Sequence, residues 1–138
     1  MAGGPVSDRR QMIAGMQPVL QAGEWRFVLV FPENAPQLLG SAIGTFREAE
    51  GVTAIVPAEL AEELAQTGPD MRCITLTVHS DLEGVGLTAA VSGALADAGI
   101  ACNVVAAFHH DHLFVPSGEG ERALEVLKAL ADAAGGDG

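Results

Sequence analysis

The sequence predicts an α+β fold in which antiparallel strand pairs carry helices on one face. Short apolar runs rich in β-branched and aromatic residues recur along the chain, segments of helical period separate them, and the strand-and-helix order of the first half returns in the second. At 138 residues the chain is long enough for one compact domain or two very small ones.

The elements follow in order. "MAGGPVS" and "AAGGDG" are small and polar, as expected of frayed termini. "SDRRQMIAGMQPVL" opens on an N-cap at Ser7 and brings Ile13 and Met16 to one helical face, with Pro18 as its stop. "EWRFVLVF", Glu24 to Phe31, has apolar side chains at both parities, which suits a strand covered on both faces. "SAIGTFREAEGVTAIVP" reads as two strands, Ala42 to Ala49 and Val52 to Val56, with Glu50-Gly51 as the turn. Pro57 then opens the helix "AELAEELAQ".

In the second half "MRCITLTVHS" alternates, with Ile74, Leu76 and Val78 on one face and Cys73, Thr75, Thr77 and His79 on the other. "GVGLTAAVSGALADAGI" sets Leu87, Ala90, Val91, Ala94, Leu95 and Ala98 in one apolar stripe, and Gly99 supplies a left-handed stop. "ACNVVAAF" and "HLFVP" are strands on either side of a histidine cluster, and "GERALEVLKALADA" is a helix with Leu124, Leu127 and Leu130 on one face.

Side by side, the halves read as one unit used twice, residues 1–68 and 69–138. Each has a strand pair that begins with a phenylalanine near its turn, Phe46 or Phe108, and ends in Val-Pro, Val56-Pro57 or Val115-Pro116, directly before the last helix. In the first copy "PENAPQLLG" stands where the crossover helix belongs. Two prolines and a short length argue against a helix there, so that copy is expected to be degenerate.

Eighteen acidic residues against seven basic ones give a net charge of −11, which disfavours nucleic acid and anionic membrane surfaces as partners. No basic stretch leads into an apolar one at the N-terminus, and no apolar run approaches the roughly 18 residues of a membrane span, so a cytoplasmic protein is expected. Cys73 and Cys102 each sit in an apolar run, where reduced thiols behave as small hydrophobes.

The segment most suited to ligand chemistry is "TVHSDLEGVGLTAAVSGALADAGIACNVV", Thr77 to Val105: strand, acidic turn, glycines, helix, strand. Gly84 and Gly86 lack a Cβ, so backbone N–H groups there can approach a carboxylate with the positive end of the helix behind them. The dipole alone is worth about 0.3–1 kcal/mol, so direct hydrogen bonds are needed as well. The alternative is a tight strand-to-helix turn that binds nothing. The spacing matches neither a dinucleotide fingerprint nor a phosphate loop.

"SDLEGVGLTAAVSGALADAGIACNVVAAF" resembles the strand-turn-helix-strand core of ACT domains, small ligand-sensing modules of amino-acid metabolism. "FHHDHLFVP", "TFREAEGVTAIVP" and "RCITLTVHS" resemble stand-alone bacterial proteins built from two ACT-like units. The resemblance covers about Met12 to Ala131. It implies a βαββαβ ferredoxin-like arrangement in each half, with strands shared between halves, and an amino-acid site at the loop after the first strand. Carried over, that loop is Ser80, Asp81, Leu82, Glu83, Gly84, Val85 and Gly86, facing the partner unit's strand. The group is expected to carry a tyrosine before the His-Asp-His segment; this chain has Phe108 and no tyrosine.

His109, His110, Asp111 and His112 are candidates for three roles: a polar hairpin network, a contribution to a small-ligand pocket by His109 or His110, or metal and acid/base chemistry. In an extended strand His110 and His112 share one face and His109 and Asp111 the other, so three ligands do not converge without a turn. His79, at the end of a neighbouring strand, keeps a composite site open. The matching hairpin of the first copy carries Arg47, Glu48 and Glu50 instead, which favours a solvated tip.

The expectation is therefore a non-enzymatic regulatory protein that binds an amino acid, without a cofactor or metal, with a homodimer compatible. A module that docks or dimerises through its sheets is the alternative. A metal-dependent enzyme using His109 to His112 is the third reading.

Overall fold

The computed structural model describes residues 5–77 and 86–135. In chain order its elements are α1 (Pro5–Ala14), β1 (Pro18–Leu20), β2 (Trp25–Val30), α2 (Ala35–Ser41), β3 (Gly44–Glu48), β4 (Gly51–Pro57), α3 (Ala58–Glu63), β5 (Met71–Leu76), α4 (Leu87–Asp97), β6 (Asn103–Ala106), β7 (Asp111–Pro116) and α5 (Gly120–Gly135), with a 3-10 turn at Ser117–Glu119 before the last helix. They fall into two compact units. One is the chain through Gln21 together with Cys73 onward; the other is Ala22–Arg72.

In the first unit β7 lies between β5 and β6, and β1 pairs antiparallel with β5 on its other side, Val19 opposite Thr75. The order β6-β7-β5-β1 is the ferredoxin-like arrangement. Its fourth strand comes from the N-terminal segment, where the sequence reading saw only the end of a helix at Pro18. Proline is tolerated as the first residue of a strand, where its missing N–H costs no ladder bond. Alternation along β5 and β7 sends Ile74, Leu76, Leu113 and Val115 under the helices, where they pack with Ile13, Met16, Leu87, Val91, Leu95, Ala123 and Leu127. Cys73, Thr75, His112 and Phe114 take the opposite face by the same parity.

The stripe expected of α4 is the one that packs: Leu87, Val91 and Leu95 are buried. Gly99, at φ +77°, turns the chain so that the Ile100 N–H donates to the Leu95 carbonyl at 2.9 Å. This closes the helix in the manner that a left-handed glycine permits. Arg122, from α5, donates to the Ala98 carbonyl at the same helix end.

In the second unit β2 pairs antiparallel with β4, β4 with β3, and Trp25 of β2 with Met71. Val28, Ala54 and Val56 face Leu38 of α2 and Ala61 of α3. Two sequence expectations change. "PENAPQLLG" does form a short helix, α2, because Pro36 falls in the first turn, where it displaces no intrahelical bond, and the Asn34 carboxamide accepts from the Phe31 N–H at 2.8 Å to turn the chain in. The hairpin turn is Ala49-Glu50, one residue earlier than read, because Gly51 pairs with Glu48 as the first residue of β4. Gly51 has φ +146°, and a Cβ there would lie 3.1 Å from Leu29 Cδ1.

The Val-Pro boundaries match in geometry as well as in sequence. Pro57 (φ −55°, ψ 136°) and Pro116 (φ −53°, ψ 140°) both end a strand and lead into a helical turn.

Candidate functional site

Of the loop after β5, Ser80, Asp81, Leu82, Glu83, Gly84 and Val85 lie outside the described residues, as does His79. Gly86, where the loop meets α4, is described. It holds a left-handed φ of +104°, its carbonyl accepts the Ala90 N–H at 2.9 Å, and no side chain among the described residues caps the helix. The Arg9 side chain lies against it: a Cβ at position 86 would come within 2.5 Å of Arg9 Cδ and Nε. Glycine is needed here for its dihedral, whereas the exposed, flexible Arg9 stem could give way to a Cβ. The result is a helix N-terminus without a side-chain cap among the described residues, with a guanidinium stem beside it. That pairing of a cation with the N–H groups of the first turn suits a carboxylate. Sequence reasoning found the glycine but not Arg9, since nothing in the spacing places α1 near α4.

The β6–β7 hairpin splits the histidine cluster. Ala106 pairs with Asp111, so the connection is Ala107 to His110, closed by the Ala107 N–H donating to the His110 carbonyl at 3.0 Å. Phe108 at the tip is 78 % exposed, and its ring meets His109 edge-on with centroids 5.0 Å apart. The His109 and His110 rings stand 6.2 Å apart. His110 Nδ1 is shielded from solvent and has no hydrogen-bond partner among the described residues.

Asp111 and His112 belong to strand β7. The half-buried His112 turns to the face away from the helices, where its Nδ1 lies 2.9 Å from Thr75 Oγ1, and Thr75 Oγ1 accepts from Gln21 Nε2 at 3.0 Å. The arrangement that satisfies all three groups has the Thr75 hydroxyl donating to Nδ1 and the imidazole proton on Nε2. Burial first, and then the neighbouring His110, hold the His112 pKa below its ordinary value, with Asp111 opposing. Burial likewise raises the Cys73 thiol, opposed by its contact with the Thr75 side chain, and it raises the Cys102 thiol. Both cysteines are free. Among the described residues no three histidine, cysteine, aspartate or glutamate side chains are grouped to hold a metal ion. No hydrogen bond or ring contact among the described residues joins His109 or His110 to Gly86.

Two further features complete the geometry. In the second unit Arg26, 8 % exposed, donates Nε to Asp70, Nη1 to the Gln66 carbonyl at 2.7 Å and Nη2 to Glu62 at 3.1 Å. In the first unit a groove of about 350 Å³ runs between the α1–β1 turn and α5, with Gln17, Thr77, Lys128 and Asp132 on its walls.

The β6-β7-β5-β1 order with helices on one face defines a ferredoxin-like α+β module, and comparison with known proteins gives it a family. Residues 70–129 match one ACT domain profile and residues 6–68 another. The chain belongs to the ACT-domain family and carries two of these regulatory modules in tandem. A Vibrio cholerae protein of unknown function, named as a possible transport protein, is similar over 93 % of this chain and 99 % of its own, at 37 % identity and a TM-score of 0.81. An Agrobacterium tumefaciens protein shares the fold at 18 % identity, with 83 % of this chain and 87 % of its own covered and a TM-score of 0.67. So does the ligand-free regulatory subunit of aspartate kinase from Thermus thermophilus, at 12 % identity, 84 % and 97 % coverage and a TM-score of 0.62. No curated protein matches the chain. Among the described residues no helix is long and apolar enough to cross a membrane.

Proposed function

We propose that this protein is a non-enzymatic, cytoplasmic regulatory protein that binds an amino acid at the loop Ser80–Gly86, with His109 or His110 reaching the same pocket. The observation that carries the reading is the start of α4, where left-handed Gly86 opens the helix without a side-chain cap among the described residues and the Arg9 stem lies beside it. A carboxylate placed there meets backbone donors and a cation, while the neighbouring acidic loop residues Asp81 and Glu83 supply charge for an ammonium. The likeness to a regulatory subunit of aspartate kinase is in keeping with this reading.

A thermal-shift screen of the twenty amino acids tests it. A ligand at a hundredfold excess over its dissociation constant stabilises the fold by about 2.7 kcal/mol. The absence of any shift at millimolar concentrations removes the amino-acid reading.

A second reading, a module that dimerises through its sheets, draws on Phe46, 70 % exposed on β3, and on the exposed Leu29 and Ile43 of the same unit. An obligate dimer in sedimentation that responds to no amino acid favours it.

A further inference from the structure

We propose that the groove between the α1–β1 turn and α5 is a second ligand site, built for a small zwitterion of amino-acid size. Its class follows from its walls, and its link to regulation rests on the reading above. Its volume of about 350 Å³ lies at the lower end of small-molecule sites, which run from roughly 300 to 1,000 Å³. The small side chains of Ala14 and Ala131 leave that space open on the helix sides.

Two walls carry opposite charge. Lys128 and Asp132 stand one turn apart on α5, both on the groove, and among the described residues neither is joined to the other or to a third group by an ion pair. A lysine that precedes its acid by four residues is in the weaker orientation for pairing along a helix, which leaves both heads available. A ligand carboxylate on Lys128 and a ligand ammonium on Asp132 would each form a charge-assisted hydrogen bond. A neutral or singly charged molecule would leave one of them unused.

The opposite wall is held in an uncommon conformation. Gln17 has φ +43°, the left-handed region that a non-glycine residue seldom occupies. It is kept there by Thr77, whose hydroxyl donates to the Gln17 carbonyl at 2.9 Å while its N–H donates to the Met16 carbonyl at 3.0 Å. Such conformations persist where the surroundings over-determine them, and they gather at ligand sites. Here the strained turn sets Gln17 and Thr77 on the groove wall, where the Thr77 oxygen, its proton given to Gln17, can still accept from a ligand ammonium.

Titration of the ¹⁵N-labelled full chain with each of the twenty amino acids, followed by amide shifts and calorimetry, tests the site. The expected result is an amino acid that moves the Gln17, Thr77 and Lys128 amides and whose affinity falls at least about tenfold in Lys128→Gln and in Asp132→Asn but not in His110→Ala. Its decarboxylated amine and deaminated acid should each bind at least about tenfold more weakly. Binding that is unchanged in both α5 variants overturns the second site; if the same binding is lost in His110→Ala, the function proposed above stands alone. No binding by any amino acid overturns both. Lys128 and Asp132 are exposed, and matching thermal midpoints confirm that the variants fold.

Discussion

Arg26 and Asp70 are joined twice, although 44 residues separate them: Nε and Nη2 of the guanidinium lie 2.9 and 2.8 Å from one carboxylate oxygen. Arg26 occupies a buried parity of β2, the same as Val28, so its charge is taken out of water and needs partners. Asp70 is the first of these and, with Glu62, holds the Arg26 pKa above its ordinary value. Only the guanidinium is buried, the Asp70 carboxylate being half-exposed, so removing its first partner leaves the buried charge short of a counter-ion, which costs more than removing that charge itself. Asp70→Ala should therefore lower the urea midpoint more than Arg26→Met. Fluorescence of Trp25, the one tryptophan in the chain and a member of the same unit, follows this unfolding. The reverse order would show that the ion pair is dispensable.

The burial of His112, beside His110, makes stability depend on pH. The folded-state pKa of His112 is below the ordinary value of 6.5, so the unfolded chain takes up a proton more readily than the native one. This contribution is intact above about pH 6.5 and is lost as the pH falls through that value toward the folded-state pKa. His112→Asn keeps an acceptor for Thr75 but does not titrate, so denaturation between pH 7 and 5 should show a shallower loss of stability. An unchanged slope assigns the pH dependence to other groups. Thr75→Val, which strands Nδ1, should cost about 1 kcal/mol at pH 7.5.

Ala65 sits at φ +57° where α3 ends, with the Gln66 N–H on the Ala61 carbonyl at 2.8 Å. Gly99 does the same work after α4. Left-handed backbone strains alanine and not glycine, so Ala65→Gly should stabilise the fold by about 0.5–1 kcal/mol and Gly99→Ala should destabilise it by about 1 kcal/mol. Chemical denaturation of the two variants checks both signs.

Gly86→Ala meets two costs, the left-handed dihedral and the Arg9 stem. Arg9 is exposed and can swing aside, whereas the dihedral cannot, so the variant should lose about 1–2 kcal/mol in the wild-type background and nearly as much with Arg9→Ala. A double variant restored to the stability of Arg9→Ala alone would show that the contact, and not the backbone, requires glycine.

Much of the architecture was legible because it is written in local periodicity. The alternation of Ile74 and Leu76 against Cys73 and Thr75, the stripe from Leu87 to Leu95 and the stop at Gly99 are all local, and the tertiary fold keeps each of them. The short helix α2 was missed because two prolines look like breakers until Pro32 is known to precede the helix and Pro36 to fall in its first turn. The strand β1 was missed because three residues that begin with a proline carry no period.

The site was less legible. Gly86 and the histidines could be named from the chain, yet the partners that give them meaning lie far away in sequence: Arg9 for Gly86, Thr75 and Gln21 for His112, Gln17 and Thr77 for the groove on α5. The sequence by itself determined the two-unit α+β plan, the core faces and the glycine turn, since backbone sterics and side-chain period act over a few residues. Only the tertiary structure decided that the N-terminal segment completes the first unit's strand order, that the histidine cluster divides between a turn and a strand, and that Lys128 and Asp132 line one groove. Those outcomes depend on which distant segments bury one another, and no local pattern encodes that.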